Sequence, residues 1–313
     1  MAYFYNINRL LCAVRGSEEG FSSVSFTDAA GRQLAWKGDV ISLNDITSMI
    51  RGLHTEYREI VNEEIFFGLQ DLPTLIPIYD ISTLVDDLNN HAPGYCFLDD
   101  VRNPFNTMKG NLLHLLLNHP KLRGRFHYMH GDKIVWRPGP CRKFLASAQR
   151  ARQILLLLIM LTYGNPARLT EFCLYTLRNI QGGSIRNFMI LFHVICLVGG
   201  YTKTAHHTLR DKVIPRAPPL FVIRELVQNL TIIRFVEECF VRDLRTTEDL
   251  HRFHYYMWPG ASHNITSDQA SDWLGMATQR YLKVRITARP YRQIQSSFSH
   301  FHRDPQSYDT HKQ

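Results

Sequence analysis

Three basic residues stand at the ends of predicted elements, outside any charge run. Arg168 follows the turn Gly164-Asn165-Pro166, Lys203 closes a β-branched and aromatic run, and Arg292 comes two residues after Pro290 at a helix start. A helix N-terminus attracts anions through its free N–H groups and its dipole, so an arginine held there makes a stronger phosphate-binding point. Three such points on one phosphate would stabilise the pentacoordinate charge of phosphoryl transfer. A plainer assignment pairs Arg168 with Glu171, one helical turn on, and leaves Lys203 and Arg292 solvated; spacing alone favours it.

Other chemistries lack their residues. The segment GGYTKT around Lys203 is not a GxxxxGK[ST] phosphate loop, and the chain has no GxSxG elbow. The histidine pairs at 127 and 130 and at 206 and 207 have no cysteine or acid at zinc-site spacing and read as surface or loop histidines. No cofactor, metal or nucleotide is therefore expected.

The elements that must carry the three residues follow from periodicity. Ile46, Ile50, Leu53, Tyr57, Ile60 and Ile65 fall at helical spacing over 43–69, with Asn44 as a candidate cap. Before them, Phe21, Val24 and Phe26 alternate around a turn as a hairpin or an irregular approach. Residues 72–106 are rich in Pro, Asn and Asp and read as loops around one short helix. Helices are expected over 109–119 and 142–163, the second stopped by the Gly-Asn-Pro turn, and over 167–179. The run from Ile185 reads as a strand or hairpin ending at Lys203, and 206–219 as a loop with two proline breaks. A helix over 220–241, one from Ser267 as cap, and one initiated by Pro290 complete the chain. The expected fold class is mainly α with a small β element (α+β).

Composition bounds the rest. Of 313 residues, 45% are hydrophobic and 20% charged, enough to bury a substantial core. Residues 1–100 hold 6 Lys and Arg against 15 Asp and Glu, a net of −9, whereas residues 101–313 hold 30 against 13, a net of +17. Such a break suggests an acidic part joined near 99–106 to a basic part that would attract a polyanion; scattered solvated charges are the equal alternative. The six cysteines are widely spaced with no CxxC pair, as in a reduced intracellular protein, and Cys173 and Cys196 sit in apolar runs suited to buried thiols. The N-terminus carries no signal-peptide pattern, and the apolar runs from Ile154 and Phe188 fall short of a membrane span, so no membrane partner is expected.

The order of the pieces resembles the catalytic domain of the tyrosine recombinases, the phage-integrase-like enzymes. The pieces are an apolar helix, the turn GNPARLTE, a hairpin ending in Tyr201-x-Lys203, a Pro-containing connection, a long helix and a Tyr291-Arg292 helix. The form is similar to divergent fungal versions in Crypton-type mobile elements and in proteins associated with RecQ-type helicases. The match covers about 140–303, and GNPARLTE is its most specific part. It implies an acidic N-terminal region over 1–105, helical with a possible hairpin, and a basic, incomplete catalytic domain over 106–313.

Through that resemblance Arg168 takes the place of the first catalytic arginine and Glu171 that of the acid orienting it. Lys203 takes that of the lysine serving the leaving 5′-oxygen, and Arg292 that of the second arginine. Arg289 stands where the family has a histidine, and an arginine does not exchange a proton near neutral pH. The family's tyrosine nucleophile follows the second arginine. Here Tyr308, in a polar tail without helical signal, is the only tyrosine downstream, so strand exchange is not expected.

The resemblance thus implies a double-stranded-DNA-binding protein of the nucleus, able to associate with itself or with recombinase-like chains. An active integrase or transposase fragment is one alternative. A domesticated module that binds proteins through its helical faces and its acidic half is the other.

Overall fold

Alternating and helical apolar patterns resolve into eight short strands and ten α-helices in a computed structural model that describes residues 24–69, 80–164, 167–182, 185–199 and 213–303. The structure is mixed α and β. The chain divides into two units, one of residues 1–51 with 274–313, the other of residues 52–273.

In the first unit, β1 (Val24–Phe26), β2 (Gln33–Trp36) and β3 (Asp39–Ser42) form an antiparallel meander in that order. The Asp28 carboxylate closes the first turn by accepting the backbone N–H groups of Arg32 (2.9 Å) and Gln33 (2.8 Å). Lys37 and Gly38 make the second, both at positive φ, as a two-residue hairpin turn demands. Helix α1 (Leu43–Glu59) then begins, and its cap is Ser42 rather than Asn44. The Ser42 hydroxyl accepts the Asp45 N–H at 3.1 Å, while the Asp45 carboxylate accepts the Ser42 N–H at 3.4 Å and the Ser42 hydroxyl at 2.7 Å, so two orphan donors are satisfied together. A π-helical turn, Ile60–Ile65, continues α1.

The second unit begins within α1. Helices α2 (Phe105–Met108) and α3 (Asn111–Asn118) lead to an antiparallel hairpin of β4 (His127–His130) and β5 (Lys133–Trp136). This hairpin has no counterpart in the periodicity reading. Helix α4 (Pro138–Thr162) follows, starting earlier than residue 142 because Pro138 suits a first helical position. Its Leu155, Leu156, Leu158 and Ile159 are all fully buried, the pattern of a helix with apolar neighbours all round. The helix is long and apolar enough to cross a membrane by composition, but 78% of that window is buried inside the fold.

Helix α5 is a single turn, Leu169–Phe172, not the helix expected over 167–179. Beyond it the backbone finds other partners. Thr176 N–H donates to Asn187 Oδ1 at 2.7 Å, Leu177 N–H to Tyr255 O at 2.8 Å, and Met257 N–H to Tyr175 O at 3.0 Å. Tertiary pairing here replaces the helical ladder.

A second meander joins β6 (Phe188–Leu191), β7 (Val194–Gly199) and β8 (Ile214–Arg216). The expected proline-broken loop therefore contains a strand. Pro215 is tolerated because β8 is an edge. Then come α6 (Leu220–Gln228), a π turn over Asn229–Ile233, α7 (Arg234–Leu244) and α8 (Thr247–Tyr255).

Helix α9 (Ser267–Leu282) is capped by Thr266, one residue before the expected Ser267: Gln269 N–H donates to Thr266 Oγ1 at 3.2 Å, and Thr266 N–H to Gln269 Oε1 at 3.0 Å. It ends in the first unit, where α10 (Ala288–Arg303) packs the Phe298 ring edge-on to Phe26 at 5.7 Å.

Five arginines of the basic half are turned inward: Arg152, Arg178, Arg186, Arg216 and Arg234 are buried. Arg152 Nη2 donates to both carboxylate oxygens of Glu237, and Arg234 donates to the carbonyls of Phe253 (2.8 Å), Tyr256 (2.9 Å) and Met257 (3.0 Å). Arg186 pairs with Asp86. The change of charge sign near 99–106 falls inside the second unit, where Asp99 joins Arg178 Nε (2.9 Å) and Lys109. Cys96, Cys141, Cys173 and Cys196 are buried and free; burial pushes the thiols of the first three up to about 12.

Candidate functional site

An apolar floor positions Arg168. At the end of α4, Tyr163 is buried and its hydroxyl accepts the Ala167 N–H at 2.8 Å, which fixes the chain where it leaves the turn. Arg168 is then extended, with φ −68 and ψ 134, and its carbonyl accepts the N–H groups of Glu171 (3.0 Å) and Phe172 (2.9 Å) to start α5. The Phe172 ring is buried against Tyr163 (5.5 Å), Tyr175 (5.3 Å) and Trp258 (5.2 Å). The two residues flanking Arg168, Ala167 and Leu169, are buried, whereas Arg168 and Glu171 are half-buried. A charged side chain here is held by its buried neighbours, which places it more precisely than a mobile loop would.

The β6–β7–β8 sheet comes to the same floor. Gly199, the last residue of β7, pairs with Ile214 of β8. It approaches Tyr175 and Arg216 so closely that an added Cβ would lie 2.4 Å from Tyr175 Oη and 2.9 Å from Arg216 Nη1. Arg216 Nη1 donates to Tyr175 Oη at 3.3 Å, and its guanidinium lies 5.8 Å from the Tyr163 ring centre. Burial raises the Tyr175 hydroxyl above its ordinary pKa, with the Arg216 charge acting against it. The phenol therefore stays neutral and acts as a structural donor and acceptor.

Arg168 and Glu171 thus share one helical turn. The end of β7, four residues before Lys203, adjoins Tyr175, seven residues after Arg168. Lys203 itself and Tyr308 lie outside the described residues. Arg289 and Arg292 lie on α10 in the other unit, Arg289 exposed and Arg292 half-buried beside the buried Tyr291. Sequence reasoning missed Tyr163, Tyr175, Gly199 and Arg216. Only Gly199 carried a signal, as a glycine at the end of a β-branched run, where close backbone approach is a common reason for it.

No protein-family model matches the chain, and no solved structure matches it.

Proposed function

We propose that the chain binds double-stranded DNA through a tyrosine-recombinase-like phosphate site and acts in the nucleus. In this reading the Arg168 guanidinium forks onto a backbone phosphate and Glu171 orients it. By the resemblance, Lys203 would serve the leaving 5′-oxygen and Arg292 would take the role of the second arginine, with Arg289 in place of the family's histidine. Such a site needs no metal and no nucleotide. Arginine recognises phosphate as a fixed fork of donors. An arginine side chain supplies charge and not acid–base exchange near neutral pH, so position 289 would lack the role of the family's histidine.

The observation that supports this reading is the seating of Gly199 on Tyr175 and Arg216. It seats the last residue of β7 on the buried floor that carries the Arg168 segment. The order of long apolar helix, Arg168 turn, antiparallel sheet and helices supports it too, being the order that the resemblance implies.

The test is fluorescence anisotropy of a labelled duplex with the full chain and its Arg168→Ala, Lys203→Ala, Arg292→Ala triple variant over a salt series. Wild type is expected to lose affinity steeply as salt rises, and the variant to bind more weakly with a slope shallower by roughly 2 to 3, about 0.9 per lost phosphate contact. Wild type failing to bind at low salt, or the variant matching it, refutes the reading.

A further inference from the structure

The densest run of positive charge in the chain surrounds the β4–β5 hairpin, which α4 separates from Arg168 along the chain. Lys121, Arg123 and Arg125 precede β4, Lys133 and Arg137 border β5, and Arg142 and Lys143 lie near the start of α4; over 119–143 the only acid is Asp132. All seven basic side chains are exposed. Two face acids, since Arg125 and Lys143 share a cleft with Glu63 and Glu64. Among the described residues Lys121, Arg123, Lys133, Arg137 and Arg142 form no ion pair with a carboxylate.

The hairpin is anchored at its base and bare at its tip. Trp136 packs edge-on to Phe240 at 4.9 Å, His127 opposite it is buried, and Arg137 N–H donates to Phe126 O at 2.7 Å. On the same face of the ribbon, the cross-strand pair Met129 and Ile134 is 57% and 43% exposed. On the other face Tyr128 is 48% exposed, with the Arg137 guanidinium 5.5 Å from its ring centre. A two-stranded ribbon that carries apolar side chains at its tip and unpaired cations along its flanks matches the major groove. That groove admits a β-ribbon, offers thymine methyl groups to apolar side chains, and is lined by phosphates.

We propose that the β4–β5 hairpin is a second duplex-DNA contact, its tip entering the major groove while Arg123, Lys133 and Arg137 hold phosphates. This rests on the DNA-binding reading above. The two contacts are physically separable, because the hairpin precedes α4 and Arg168 follows it, and a helix of 25 residues is about 37 Å long. That length is close to one turn of B-form DNA, about 34–36 Å.

The experiment uses the full chain with Arg123→Ala, Lys133→Ala, Arg137→Ala, with the charge-keeping Arg123→Lys, Arg137→Lys, and with the tip variant Met129→Ser, Ile134→Ser. The substituted side chains are exposed, and circular dichroism melts verify that each variant folds. Binding to a labelled 25-base-pair duplex is read over a salt series.

The alanine variant is expected to bind at least about tenfold more weakly at low salt with a slope shallower by roughly 2 to 3, at about 0.9 per phosphate. The lysine variant should keep the wild-type slope, and the tip variant should weaken binding with the slope unchanged. If wild type binds and the alanine variant binds equally with the same slope, the hairpin proposal is overturned while the parent reading stands. If wild type binds no duplex at all, the parent reading falls with it. If instead the alanine variant loses binding only to phosphatidylserine vesicles and keeps its duplex affinity, the surface belongs to a membrane and the proposal is wrong.

Discussion

Alanine at position 199 would put a methyl group 2.4 Å from Tyr175 Oη and 2.9 Å from Arg216 Nη1, where ordinary contact begins at about 3.4 Å. An overlap of about 1 Å with the phenol oxygen has few ways to relax. Tyr175 is buried on a rigid ring against Phe172, whereas the Arg216 contact is the far end of a longer side chain that can yield. Overpacking of this kind costs about 1–3 kcal/mol. At roughly 2–4 °C per kcal/mol for a domain of this size, the melting temperature should fall by about 5 °C.

Tyr175→Phe alone removes one hydrogen bond to a guanidinium and should cost about 1 kcal/mol. In the double variant the nearest ring atom to the new methyl is Cζ at 3.5 Å, an ordinary contact. The two substitutions should therefore couple favourably by about 1–2 kcal/mol, well outside the roughly 0.5 kcal/mol scatter of independent sites. Urea unfolding followed by circular dichroism measures the cycle, and duplex anisotropy of the same proteins should show Gly199→Ala weakening DNA binding and the double variant recovering part of it. Additive stabilities would refute the reasoning, because Tyr175 Oη would then not be the obstacle.

Two further predictions concern paired charges. Glu237→Gln leaves Arg152 and Arg234, both buried, without their carboxylate and should destabilise by about 3–5 kcal/mol in urea unfolding; a loss under about 1 kcal/mol would mean that the remaining carbonyls suffice, that of Pro259 accepting from Arg152 Nη1 at 2.8 Å and those of Phe253, Tyr256 and Met257 accepting from Arg234. Burial pushes the Asp99 carboxyl up, but Arg178 and Lys109 outweigh it and hold its pKa below the usual carboxylate value of 3.8. A depressed folded-state pKa gives stability that is present above the unfolded value and lost as pH falls through the folded one. Asp99→Asn should accordingly lower stability at neutral pH and flatten the loss of stability below about pH 4, as read by melting temperature against pH; an unchanged acid limb would refute that role.

The elements with strong periodicity were legible beforehand. Helices over 43–69, 109–119, 142–163 and 220–241 follow from apolar spacing that one buried face imposes, and each is present with shifted ends. The ends moved because capping depends on single hydrogen bonds: Ser42 and Thr266 cap where Asn44 and Ser267 were expected. Short elements were less legible. The β4–β5 hairpin has four-residue strands whose tip faces solvent, so no apolar alternation marks it, and α8 went unnoticed within a polar stretch.

By itself the sequence determined the mixed α and β class, the burial of the Cys173 and Cys196 thiols and the place of Arg168 ahead of a helical turn, since these depend on local pattern and composition. Tertiary structure alone decided the rest. It ended α5 after one turn, because the N–H groups of Thr176 and Leu177 found partners on Asn187 and Tyr255. It turned five arginines inward, where carboxylates, carbonyls and a tyrosine hydroxyl offset their burial. It also seated the end of β7 on Tyr175, next to the segment that carries Arg168. Residues distant in sequence become neighbours through packing and hydrogen bonding, which periodicity along a single chain does not encode.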